Sequence, residues 1–182
     1  MPGAVSFGDT VREFLSALPI SDPPTPWRKI ATVAVGGSYA FGFPRDAETI
    51  LACSDNGQSL FDCTTGERLY RNRDENGYRP AELKADFLDG SKTAVDTMGK
   101  DGGGLRLTTD DGWSIECIAA DWPGSTFLLY PPGAGMGLLK VGKAPDATVL
   151  CRELDCLAFG FSWTGKSLVW ADRADLTIWH RG

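Results

Sequence analysis

Imidazole is almost missing from this chain: its 182 residues include one histidine, His180. A serine or cysteine nucleophile would have that single ring as its base, so triad chemistry has little to draw on. A zinc site needs four convergent ligands, and Cys151-x-x-x-x-Cys156 with His180 falls short of the set. Positive charge is also scarce. Lysine and arginine number 18 against 24 acids, a formal net charge of −6, which excludes a broad phosphate-neutralising face for duplex DNA. No stretch approaches the roughly eighteen uninterrupted apolar residues of a membrane span. Residues 1–10 carry neither a basic n-region nor an apolar run, so no signal peptide is expected. The five cysteines, Cys53, Cys63, Cys117, Cys151 and Cys156, form no C-x-x-C pair. An odd, scattered set of this kind reads as reduced thiols in a cytoplasmic protein. No catalytic, cofactor-binding or metal-binding residue is expected, and no nucleic-acid or membrane partner.

What is present has the average make-up of a globular domain, 42% hydrophobic and 23% charged. Val11, Phe14, Leu15 and Leu18 recur at i, i+3, i+4 and i+7. Thr10-Val-Arg-Glu13 has capping-box spacing and Pro19 closes the segment, which predicts a helix over 8–19. Ser21-Asp-Pro-Pro-Thr-Pro26 can neither extend a helix nor sit inside a sheet. Residues 1–26 therefore read as a helix with a stiff connector, and 27–182 as a single β domain.

Beyond Trp27 the pattern is short β-type runs between turn signals such as Gly36-Gly37, Asn56-Gly57, Thr65-Gly66, Asp89-Gly90, Asp111-Gly112 and Thr164-Gly165. Strands are predicted at 28–35, 38–43, 49–54, 58–63, 67–71, 84–88, 92–97, 104–108, 113–120, 125–130, 137–142, 147–151, 156–161, 167–171 and 175–180. The expected fold class is all-β, an antiparallel meander of hairpins behind one N-terminal amphipathic helix. An internal repeat supports it. Phe41-Gly42-Phe43 recurs as Phe159-Gly160-Phe161, and the next nineteen positions align without a gap. A third copy fits at Phe87 and a fourth begins near Phe127, a spacing within the period of propeller blades.

Two segments carry a resemblance. Phe161-Ser-Trp-Thr-Gly-Lys-Ser-Leu-Val-Trp-Ala-Asp-Arg-Ala-Asp-Leu-Thr-Ile-Trp179 and Asp55-Asn-Gly-Gln-Ser-Leu-Phe-Asp-Cys-Thr-Thr-Gly-Glu67 resemble WD-repeat β-propeller blades, over about residues 38–180. The chain departs from that family in lacking the Gly-His dipeptide and in being too short for a seven-bladed ring. The resemblance implies a small or partial propeller-like scaffold that presents surfaces to partners; a twisted sheet or a sandwich is the alternative.

Three motifs tempt and fail. Gly160-x-x-x-x-Gly165-Lys166-Ser167 matches a phosphate-binding loop, but a β pattern follows where the motif needs a helix. Asn72-x-Asp74-x-Asn76-Gly77 opens like a calcium loop, yet Leu83 stands where a bidentate carboxylate is required. Gly133-Ala-Gly135-Met-Gly137 lacks the third glycine of a dinucleotide site and the alternating β-α context. Asp110-Asp111, or Asp172 with Asp175, would serve glycoside chemistry only if brought together around a sugar.

The remaining signal is charge and aromatics. Residues 44–122 hold sixteen acids against nine bases, while the two flanks are balanced to within one charge. Trp163 and Trp122, next to turn residues, are the expected exposed anchors among six tryptophans. Asp55, Asp74, Glu75, Asp101, Asp110, Asp111, Trp113, Trp122 and Trp163 are accordingly the candidate partner-binding residues, an acidic rim with aromatic anchors. The expectation is a non-enzymatic protein-binding module, in concrete form an immunity or antitoxin-like inhibitor that occludes a basic toxin, acting as a monomer or small oligomer. Two alternatives stay open. One is a small enzyme or ligand binder using the Gly-rich loop 131–137 with nearby carboxylates; the other is a structural subunit of a larger β assembly.

Overall fold

A computed structural model describes residues 7–88, 90, 93–134 and 146–182. Helix α1 (Phe7–Ala17) is followed by β1 (Arg28–Ala34), β2 (Ser38–Gly42), β3 (Thr49–Ser54), β4 (Gly57–Asp62) and β5 (Arg68–Asn72). Next come β6 (Tyr78–Arg79), a single 3-10 turn at Pro80–Glu82, β7 (Lys84–Asp86), β8 (Ala94–Asp96), β9 (Met98–Gly99) and β10 (Gly102–Gly103). The last six are β11 (Ser114–Asp121), β12 (Gly124–Tyr130), β13 (Thr148–Glu153), β14 (Ala158–Phe161), β15 (Ser167–Ala171) and β16 (Asp175–His180). Every ladder between these strands is antiparallel. The protein is all-β with one N-terminal helix. Among the described residues the structure shows no propeller.

The chain divides into two compact units, Met1–Pro24 with Asp110–Leu154, and Thr25–Thr109 with Asp155–Gly182. In the first, α1 lies against the sheet β11-β12-β13. Leu15 is 2% exposed and clusters with Leu128, Tyr130 and Val149, with Val11, Phe14 and Leu18 alongside, so the apolar stripe read from the sequence is the buried face. The helix begins earlier than expected. Thr10 lies inside α1, so Thr10 and Glu13 form no capping box. Hydrophobic burial against the sheet holds this helix in place, together with the Arg152 guanidinium, which donates to the Leu15 and Leu18 carbonyls at its C-terminal end.

In the second unit three sheets form around two apolar clusters. The sheet β10-β9-β2-β3-β4-β5 contributes alternate residues to each. Phe41, Ile50, Ala52 and Phe61 join Ala158, Val169, Leu176 and Ile178 of the sheet β1-β16-β15-β14. Ala40, Leu51 and Cys53 join Ala85 and Val95 of the sheet β6-β7-β8. Consecutive residues Ile50 to Cys53 are all buried because β3 is covered on both faces, which is why it reads as an unbroken apolar run.

The sequence repeat is a repeat of structure. β2-β3-β4 and β14-β15-β16 are equivalent three-strand meanders, with Phe41-Gly42 and Phe159-Gly160-Phe161 on their first strands. Their fourth strands differ in origin. β5 follows directly in the first copy, whereas β1, far upstream, pairs with β16 in the second, Val33 opposite Leu176. Two expectations change. No strand forms over 104–108; the segment follows β10, whose Gly102 and Gly103 adopt φ of 104° and 90°, and Arg106 within it bridges to Phe161. The strand expected at 137–142 and the second half of the Gly-rich loop 131–137 lie outside the described residues.

Candidate functional site

The cleft of interest lies in the second unit and begins with the repeat. The linker after β2 (Phe43 to Ala47) and the turn after β14 occupy equivalent positions in the two meanders, and they form adjoining walls. Phe43, Pro44, Leu60, Phe87, Val95 and Trp163 line a cavity of about 540 Å³, with Arg45, Asp46 and Asp96 as its charged lining residues. That volume lies within the range of specific binding pockets, and the pattern of apolar lining with few polar groups is theirs too. The Arg45 guanidinium sits 4.1 Å from the centroid of the Trp163 ring, a cation–π contact that holds the half-buried indole.

Behind those walls is a buried polar hub. Glu48, just before β3, accepts hydrogen bonds from the hydroxyls of Ser162 (3.1 Å), Thr164 and Ser167. Ser167 is 3.0 Å from Nδ1 of His180 and gives its own proton to Glu48, so the imidazole donates from Nδ1. Cys63 donates its backbone N–H to the Glu48 carbonyl at 2.8 Å. One carboxylate thereby ties the linker after β2 to β15, β16 and the turn between β14 and β15. A serine, a histidine and a glutamate meet here, but this is no nucleophile. Ser167 has no exposed surface and His180 is 9% exposed. The serine proton is committed to the carboxylate, so the imidazole has none to abstract. Burial, with Lys166 and Arg28 nearby, holds the His180 ring below its ordinary pKa despite Glu48 and Asp62.

Sequence reasoning left His180 without a catalytic set and missed Glu48 as the centre of this hub. A signal existed. In the aligned repeat Glu48 stands opposite Lys166 and Asp62 opposite His180, two positions where the copies carry opposite or oppositely ionisable groups.

The candidate partner-binding residues separate. Trp163 lines the cleft. Asp55 and Asp101 share the edge built on Tyr39 and Tyr78, whose rings are 5.5 Å apart. Tyr78 donates to Asp101 at 3.0 Å, and burial with that carboxylate pushes the phenol up to about 12. Asn76, between β5 and β6, donates to Tyr39 at 2.8 Å and brings the loop of exposed Asp74 and Glu75 to the same edge. These four acids therefore belong together. Asp110, Asp111, Trp113 and Trp122 belong to the other unit. Trp122 is 85% exposed, as expected of an anchor. Trp113 is 5% exposed, packed in the interior, and offers no docking surface.

The rejected motifs have structural explanations. Gly165, φ 73°, makes the β14–β15 turn, and strand β15 follows Lys166. Asn72 spends its side-chain oxygen on the amides of Asp74 and Glu75, at 2.8 and 3.0 Å, and Asp172 does the same for Ala174 and Asp175. Among the described residues no group of three or more His, Cys, Asp or Glu is placed to hold a metal ion, and no helix is long and apolar enough to cross a membrane. Set against known proteins, the chain matches no family model and no curated protein.

Proposed function

We propose that this chain is a non-enzymatic protein-binding module that works in the cytoplasm, and that the cleft beside Trp163 is where its partner docks. The supporting observation is the cleft itself. About 540 Å³ of space is lined by Phe43, Leu60, Phe87, Val95 and Trp163. An aromatic anchor held by an arginine and rimmed by a few charges is the composition of an interaction hot spot. The occupant is an apolar side chain, or a short apolar segment, of a protein with a basic surface. Exposed Asp55, Asp74 and Glu75, with Asp101 on the same edge, supply the negative potential that steers such a partner. Neutralisation of a basic toxin by occlusion, in the manner of an immunity protein, is the concrete form of this reading.

Capture from the native host with wild type and with Trp163→Ala, matched for melting temperature, tests it. A protein retained by wild type and lost by the variant is the expected result. Retention that ignores Trp163 would move the docking site elsewhere.

A further inference from the structure

A second recess in the same unit has the opposite character. It measures about 150 Å³ and is lined by Ser38, Ser54, Asn56 and Ser59 with Arg68, Arg71 and Arg73, and by the segment Ala34 to Gly36. Three arginines converge there in a protein of net charge −6, and no carboxylate lines the space.

The convergence is built by the strand. In a regular strand Arg68 and Arg71, three apart, would point to opposite faces. The β4–β5 ladder shifts register between Leu60 and Phe61, so that Tyr70 pairs with Leu60 but Arg68 with Phe61, and Leu69 is the extra residue. Such a bulge re-aims side chains. It returns Arg68 to the face of Ser59 and Arg71, which are directly paired. Leu69 is left 54% exposed.

Arg71 is fixed before any ligand arrives. It donates to Ser59 Oγ at 3.0 Å and to the Asn56 carbonyl at 2.6 Å. Burial, then Arg73 and Arg68, hold it below the ordinary guanidinium value, so like charges are being kept together at a cost. Neither Arg68 nor Arg73 makes an ion pair among the described residues. Ser59, 6% exposed, accepts from Arg71 and keeps its hydroxyl proton for a further acceptor. Guanidinium forks plus a hydroxyl donor match a tetrahedral oxyanion, and the recess is below the roughly 300–1,000 Å³ of sites for whole drug-sized ligands.

We propose that the Arg68–Arg71–Arg73 recess is a binding site for a single phosphate group. Inorganic phosphate and a phosphate monoester carry the same recognised chemistry. Titration of the full chain followed by amide NMR distinguishes them, with inorganic phosphate, free phosphoserine, and chloride at matched ionic strength as three arms. Saturable shifts at Gly36, Asn56, Ser59 and Arg71 in either phosphate arm are expected, with a rise in melting temperature that tracks occupancy. Saturation at lower concentration by phosphoserine identifies an ester as the natural form; equal saturation identifies the free ion. Arg68→Gln with Arg73→Gln, both exposed side chains, is expected to weaken binding by about tenfold or more without loss of fold. Shifts that match the chloride arm, or binding unchanged in the double variant, would overturn the site.

Discussion

At the residue scale the molecule is organised by a carboxylate that sequence reading passed over. Glu48 accepts from three hydroxyls, and removing it strands donors in a largely buried place. Glu48→Ala is expected to lower stability by about 2–3 kcal/mol, read as a fall in urea midpoint with an unchanged slope. His180 adds a pH dependence. Its folded pKa lies below the ordinary 6.5, so the unfolded chain binds the proton more readily. That contribution to stability is complete above about pH 6.5 and shrinks as the pH falls through that value toward the folded one. Urea midpoints should therefore drop between about pH 7.5 and about pH 5.5, and His180→Asn should flatten this part of the profile. A midpoint constant across that range in wild type would contradict the assignment. That the chain has a single histidine, at the repeat position of Asp62, was legible in the sequence; what it touches was not. Its bond to Ser167 is a cross-strand contact that the β15–β16 register creates.

At the scale of elements, local pattern was a good guide wherever one face of an element decides its burial. The stripe Val11, Phe14, Leu15 and Leu18 marked α1, and β3, β15 and β16 fall on their expected spans. It failed where backbone geometry decides instead. The run expected at 104–108 forms no strand beyond β10, and β6 and β9, two residues each, are too short to show a period. Nor does any local signal say that β1 completes the last meander, since that pairing spans most of the chain. The helix provides a direct test. Leu15→Ala removes the centre of its packing on β12 and β13, and should destabilise the first unit by about 2–5 kcal/mol. Calorimetry of wild type and variant would show the loss. An unchanged transition would mean that α1 is not held by that face.

For the whole molecule, two features that segment-wise charge counting blurred turn out to be distinct. The acids expected to form one rim divide between the units, and four of them gather near Tyr39 and Tyr78. The arginines of β5 and the residue after it, counted within the same acidic segment, form a recess of their own. If negative potential steers the partner, Asp55→Lys with Glu75→Lys should slow association at low salt and lose that effect as salt screens it. Stopped-flow mixing with the captured partner reads both; a rate indifferent to the charges would remove steering from the account.

Binding through the Trp163 cleft is the claim on which the functional reading stands. Isothermal titration of the captured partner into wild type and Trp163→Ala measures it most directly. The account predicts one saturable site in wild type, weakened by about 2 kcal/mol or more in the variant, with both proteins equally folded. Equal affinity for the two would contradict it.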